Sequence, residues 1–115
     1  MSDYIVYHNP RCSKSRMALV YLEEANKEYR VIEYLKESPT KVDLETVLIK
    51  LGIPAEGLVR KGEPGFKEHF KGKTLSENEW IDAMLKYPKL IERPIVVLGN
   101  KAVIARPIEK IDDLN

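Results

Sequence analysis

One sulfur and a handful of cationic side chains carry whatever covalent chemistry this sequence can perform. Cys12 is the single cysteine of a 115-residue chain. No internal disulfide can form, so a redox cycle must borrow its second sulfur from another molecule. The sulfur stands in His8-Asn9-Pro10-Arg11-Cys12-Ser13-Lys14-Ser15-Arg16. The ordinary role of a lone cysteine is that of a small buried hydrophobe, but these flanks are too polar for a core position. Cys12 and Ser15 form a Cys-x-x-Ser arrangement: one thiol can attack, but it cannot resolve itself.

A β-branched and aromatic run ends at Tyr7 and a helical pattern begins at Ser13, which puts Cys12 at a helix entrance. The unpaired N–H groups and the dipole of a helix start favour an anion there. They also favour thiolate over thiol, and thiolate is the nucleophile. A free thiol of pKa about 8.5 is only a few per cent ionised at pH 7; stabilising its anion by roughly 2.7 kcal/mol lowers that value by about two units. His8, Arg11, Lys14 and Arg16 add positive or hydrogen-bonding groups nearby. The hydroxyls of Ser13 and Ser15 can donate toward the same spot or simply cap the helix. His8, at the end of a strand, can serve the sulfur or the structure.

Arg93-Pro94 and Arg106-Pro107 bracket a hairpin pattern centred on Gly99-Asn100. In a two-residue turn, opposed residues have numbers that sum to the same value, and Arg93 meets Arg106. Directly opposed side chains stand about 5 Å apart at Cβ, where like charges destabilise. An anion between them removes that cost, and the forked donors of arginine suit a tetrahedral oxyanion better than a lysine does. Splaying into solvent, or a one-residue bulge, is the alternative. Arg60, in Leu58-Val59-Arg60-Lys61, reads by spacing alone as a surface arginine.

The elements that must hold these groups follow from the pattern. Strands are expected at residues 4–7, 29–34, 95–98 and 102–105, with Gly99-Asn100 as a type II′ turn. Met17 through Leu22 and Ala25 are almost all apolar, as in a helix largely covered by its neighbours. A second helix begins at Thr40, shows an apolar face of Leu44, Val47, Leu48 and Leu51, and ends at Gly52. Residues 55–73 read as a loop with short helical turns. Ser76-Glu77-Asn78-Glu79 is a capping box before the apolar face of Trp80, Ile81, Met84 and Leu85. Pro107 is expected at the first position of a short final helix. A β-α-β start, a helical insertion and a β-β-α finish give an α/β fold of thioredoxin-like arrangement: a four-stranded mixed sheet, covered on both faces, in one domain spanning 1–115.

Composition narrows the partners. Nineteen Lys+Arg against eighteen Asp+Glu leave a net charge of +1, which argues against non-specific binding to nucleic acid or anionic membranes. No run approaches the roughly 18 apolar residues of a membrane span, and Met1-Ser2-Asp3-Tyr4 lacks the features of a signal peptide. A cytoplasmic protein is expected. Cys12 with His8 and His69 makes no convincing zinc site. A phosphatase loop of the Cys-x5-Arg type would need arginine at position 18, which is Ala18.

Taken together, Tyr7-His8-Asn9-Pro10-Arg11-Cys12 with Ser15, Leu58-Val59-Arg60-Lys61, Arg93-Pro94-Ile95-Val96-Val97 and Arg106-Pro107 resemble the glutaredoxin-dependent arsenate reductases of the thioredoxin-fold proteins. The resemblance runs over nearly the whole chain. It implies that Cys12 is the nucleophile, assisted by His8 and Ser15, and that Arg60, Arg93 and Arg106 bind the oxyanion. It implies a cis peptide bond before Pro94. It also implies arsenate as substrate, glutathione as co-substrate, a glutaredoxin as partner, no tightly bound cofactor, and a monomer. Two relatives of different function stay open. One is a glutathione-dependent thiol oxidoreductase acting on mixed disulfides. The other is a non-catalytic regulator that binds RNA polymerase, although such relatives usually carry Cys-x-x-Cys where this chain has Ser15.

Overall fold

The computed structural model describes residues 4–114. It divides into two compact units, one from the chain up to Glu37 and from Arg93 onward, the other from Ser38 to Glu92. The first holds the sheet. Strand β1 (Tyr4–Tyr7) leads through helix α1 (Ser13–Glu24) to strand β2 (Tyr29–Ile32), which pairs parallel to β1. Asn26, at φ 56°, takes the left-handed conformation that ends the helix run. Strand β3 (Ile95–Leu98) pairs antiparallel to β1, and strand β4 (Lys101–Ile104) antiparallel to β3, so the spatial order is β2-β1-β3-β4. This is the thioredoxin-like α/β arrangement, a mixed four-stranded sheet with flanking helices and a helical segment inserted between β2 and β3.

The hairpin has the expected register: Ile95 faces Ile104, and Leu98 faces Lys101. Gly99 sits at φ 60°, while Asn100 is not among the positive-φ residues, as a type II′ turn requires. Pairing straight across a two-residue turn starts β4 one residue earlier than the apolar pattern suggested. The ladder still reaches Ala105, whose N–H donates to the Pro94 carbonyl at 2.9 Å. Strand β2 stops at Ile32, short of the expected 34, because the Glu33 carbonyl accepts from the N–H groups of Lys36 and Glu37 and closes a turn.

Tyr4, Val6, Ala18, Leu22, Val96 and Ala105 pack with Ile111 and Leu114 of the final helical segment (Ile108–Leu114) as one core. On the opposite parity of β3, Ile95 and Val97 are buried as well, so both faces of the central strand are dry. Two expectations need correction. Helix α1 is covered on one face only: Ser15, Ala18 and Leu22 are buried, whereas Met17 and Val20 are 47% and 50% exposed. Pro107 does not open the last helix but precedes it. Its carbonyl accepts the Lys110 N–H at 3.0 Å, and the segment is a 3-10 helix from Ile108. The bonds Arg93–Pro94 and Arg106–Pro107 are both cis; the first was expected.

The second unit contains helices α2 (Lys41–Leu51), α3 (Pro64–His69) and α4 (Glu77–Lys86), with 3-10 turns at Ala55–Leu58 and Pro88–Leu90. Thr40 and Ser76 each cap a helix with a reciprocal box, to Asp43 and Glu79 respectively. Gly52 closes α2 at φ 70°. Among the described residues, no helix is long and apolar enough to cross a membrane.

Candidate active site

The turn before α1 is locked by its own polar groups. The Asn9 side-chain oxygen accepts from the Arg11 N–H at 3.0 Å, and the Asn9 carbonyl accepts from the Cys12 N–H at 2.9 Å. Arg16 reaches back to donate to the Pro10 carbonyl at 2.8 Å. Cys12 is thereby fixed as the residue before α1, in extended conformation, with its carbonyl accepting the Arg16 N–H at 3.1 Å. Its side chain caps nothing, and no acidic residue occupies the first turn. The free N–H groups of that turn are left for a negative charge, and the sulfur supplies one.

Cys12 is 9% exposed, yet its surroundings are not hydrocarbon. Burial, the largest single influence, pushes the thiol pKa up. Against it act the Ser15 backbone N–H, the Arg93 charge, the Lys14 backbone N–H and the Ser15 hydroxyl. Together they outweigh burial, and the thiol titrates below its ordinary range. The Ser15 hydroxyl oxygen is buried without a hydrogen-bond partner among the described residues, so its part is that of a dipole near the sulfur, weaker than a formed hydrogen bond. An Arg106 Nη2 donor lies 3.9 Å from Sγ.

The two hairpin arginines behave differently. Arg106 is exposed and turns its Nε onto the Arg93 carbonyl at 2.7 Å, which ties the two hairpin ends together. Arg93 is half-buried, and its Nε and one Nη are shielded from solvent with no acceptor among the described residues. Orphaned charged donors are costly, and they are the groups an oxyanion would satisfy.

His8 is buried at 6% exposure, with its N–H donating to the Ile32 carbonyl at 2.9 Å. Desolvation lowers its pKa most. Glu33 raises it, Arg16 lowers it, and the Ser15 backbone raises it, the balance falling below the usual value. The imidazole is therefore neutral at pH 7. A neutral ring adds no charge to depress the thiol pKa, which leaves that work to α1 and Arg93. Glu33 went unremarked in the sequence, although the parallel register of β1 and β2 carries His8 alongside it.

Arg60 belongs to the second unit. There its guanidinium meets Glu63 at 3.0 Å and Glu92 at 3.9 Å, while its N–H donates to the Leu90 carbonyl at 2.6 Å. Among the described residues, no group of three His, Cys, Asp or Glu side chains could hold a metal ion.

The thioredoxin-like sheet thus carries, at the start of its first helix, a thiol that titrates below its ordinary range under the charge of Arg93, two of whose donors have no acceptor among the described residues. Residues 7–114 match the model of the ArsC family, and the chain belongs to that family. It is 38% identical over 114 residues to an arsenate reductase of Neisseria meningitidis serogroup A, covering 97% of each chain. It is 44% identical over 108 residues to the uncharacterized YfgD protein of Escherichia coli (strain K12), covering 92% of this chain and 91% of that one. The structure of an arsenate reductase from Vibrio cholerae superposes with a TM-score of 0.93 at 38% identity, covering 98% of both chains.

Proposed function

We propose that the protein reduces arsenate to arsenite, with glutathione and a glutaredoxin as the source of electrons. The observation that carries this reading is Arg93, whose shielded, unpaired donors and positive charge bear on a thiol that titrates low. The names of the Neisseria and Vibrio relatives support the choice of oxyanion. Arg106 is assigned a second cationic contact on the basis of its 3.9 Å approach to Sγ. Arg60 enters on the resemblance alone and would have to exchange its carboxylate partners for the oxyanion.

In the cycle, the Cys12 thiolate attacks arsenic, a sulfur–arsenic bond forms, and an arsenic-bound hydroxyl takes a proton from solvent and leaves as water. Arginine donors hold the remaining oxygens through the change in charge. Glutathione then adds its sulfur to arsenic with loss of a second water. A glutaredoxin thiolate attacks the glutathione sulfur; the arsenic–sulfur bond breaks, its electron pair passes to arsenic, and As(V) becomes As(III). Water displaces the Cys12 thiolate and arsenite departs. An external thiol is obligatory here, since the chain has one cysteine. The same reading has the protein working in the cytoplasm as a monomer without a tightly bound cofactor.

The test is arsenite production from arsenate with glutathione and glutaredoxin, comparing wild type with Cys12→Ser. Turnover by the wild type, abolished in Cys12→Ser, is expected. No turnover by the wild type would reject arsenate. Turnover that proceeds only with a different reductant would reject the glutathione part.

A further inference from the structure

Arg93 has shielded donors with no acceptor among the described residues, whereas Arg60 is engaged from within its own unit. The backbone fixes it first. The Arg60 N–H donates to the Leu90 carbonyl at 2.6 Å, the Glu92 N–H donates to the Leu58 carbonyl at 2.8 Å, and Val59 bridges Ile91 antiparallel between them. The Glu63 N–H donates to the Arg60 carbonyl at 3.2 Å, which turns the chain back toward the guanidinium. Nη1 meets the Glu63 carboxylate at 3.0 Å and lies 3.5 Å from the Lys89 carbonyl, and Nε stands 3.9 Å from the Glu92 carboxylate. Glu63 is the residue before α3, where a carboxylate ordinarily accepts a helix N–H. Its side chain caps nothing and goes to Arg60 instead.

We infer that Glu63 and Glu92 form an internal anion latch on Arg60, which the oxyanion must displace and which thereby sets the affinity for it. This rests on the reading above that Arg60 takes the oxyanion. Two carboxylates against one guanidinium leave the cluster one negative charge in excess, and an arriving oxyanion meets that repulsion. Lys61 does not relieve it, because its Nζ pairs with Glu56 at 2.8 Å. The Arg60 and Glu63 side chains are 25% and 18% exposed. Opening the latch therefore leaves the Glu63 charge partly desolvated and without its partner, which costs more than parting two solvated ions. Both effects oppose anion binding, and both end when the carboxylate is made neutral. If the carboxylates only oriented Arg60 for the ligand, neutralising them would weaken binding, so the sign of the change separates the two roles.

The probe is inorganic sulfate, titrated calorimetrically into the full-length protein. Glutamine keeps the shape of glutamate and an acceptor oxygen while removing its charge. Glu63→Gln is expected to tighten sulfate about fivefold and Glu92→Gln, whose contact is longer, about twofold, both within the range of paired side chains near a protein surface. Arg60→Ala is expected to weaken sulfate and to abolish both gains in the double variants. Glu56→Gln, which takes the same charge from Lys61 rather than from Arg60, is expected to leave sulfate affinity unchanged. In turnover, Glu63→Gln should lower the KM for arsenate by a factor similar to that seen with sulfate. Sulfate binding no tighter in either glutamine variant of the latch, or absent from every variant, would overturn the proposal. So would a gain that survives in Arg60→Ala, an equal gain in Glu56→Gln, or an Arg60→Ala protein that binds sulfate as the wild type does. If the sulfate series runs as expected but arsenate is not reduced, the latch stands and the reductase reading falls. If arsenate is reduced but the variants bind sulfate no tighter, the latch falls and the reductase reading stands.

Discussion

Replacing Arg93 by methionine removes a charge and its donors while keeping an unbranched side chain of similar reach. Two of its nitrogens are shielded from solvent without an acceptor, and each such orphan costs about 1–3 kcal/mol. Methionine recovers part of that cost, so the substitution is expected to stabilise the anion-free protein by about 2 kcal/mol. At about 4 °C per kcal/mol for a chain of this length, the thermal midpoint rises by about 8 °C. The comparison is made in a Cys12→Ser background, so that loss of thiolate stabilisation does not enter. Sulfate, a tetrahedral stand-in for arsenate, then reverses the order. At a hundredfold excess over its dissociation constant, a ligand adds about 2.7 kcal/mol to a protein that binds it, and the Arg93→Met protein should gain little of that. The assay is thermal unfolding with and without sulfate. A variant less stable than its parent without anion, or equal sulfate stabilisation of both, would refute the claim that Arg93 is kept for an anion at the expense of stability.

Three further outcomes are expected. Ser15→Ala removes the weakest of the influences holding the thiol low, so the Cys12 titration midpoint should rise slightly, by less than in Arg93→Met; a larger rise would misassign the charge. Cys12 and His8 both titrate lower in the folded protein than in the unfolded chain. In each window the unfolded state binds more protons, so stability increases with pH. Denaturant unfolding should show stability still climbing from pH 7 toward the unfolded cysteine value of about 8.5, with that climb absent in Cys12→Ser; identical profiles would deny the shift. Ser76→Ala breaks the box at the start of α4, where Ser76 accepts the Glu79 N–H at 3.2 Å, and should cost about 1 kcal/mol without moving the thiol midpoint.

The hairpin register was legible because a two-residue glycine turn leaves one pairing, and that pairing set Arg93 against Arg106. The cap at Ser76 was legible because side chain and backbone lie within one helical turn; at Thr40 the helix start was legible, and the reciprocal box to Asp43 came from the structure. The covered face of α1 was not. A nearly continuous apolar run states that a helix is buried somewhere, and only the packed Ala18 and Leu22 decide which stripe, leaving Met17 and Val20 outside. Hydrogen bonds such as Arg106 to the Arg93 carbonyl depend on rotamers that no spacing encodes. The carboxylates that engage Arg60, Glu63 and Glu92, gave no signal for the same reason. The position of Cys12 at the entrance of α1 was legible from the break after Tyr7 and its polar flanks, whereas the neutrality of His8 required knowing how deeply its ring is buried.

The most direct measurement is the ultraviolet titration of the Cys12 thiolate in the reduced protein, with and without sulfate. A midpoint below that of a free cysteine is expected, shifting in Arg93→Met toward the free value. A midpoint at or above the free value, unmoved by the substitution, would contradict the assignment of Cys12 as a nucleophile activated by α1 and Arg93.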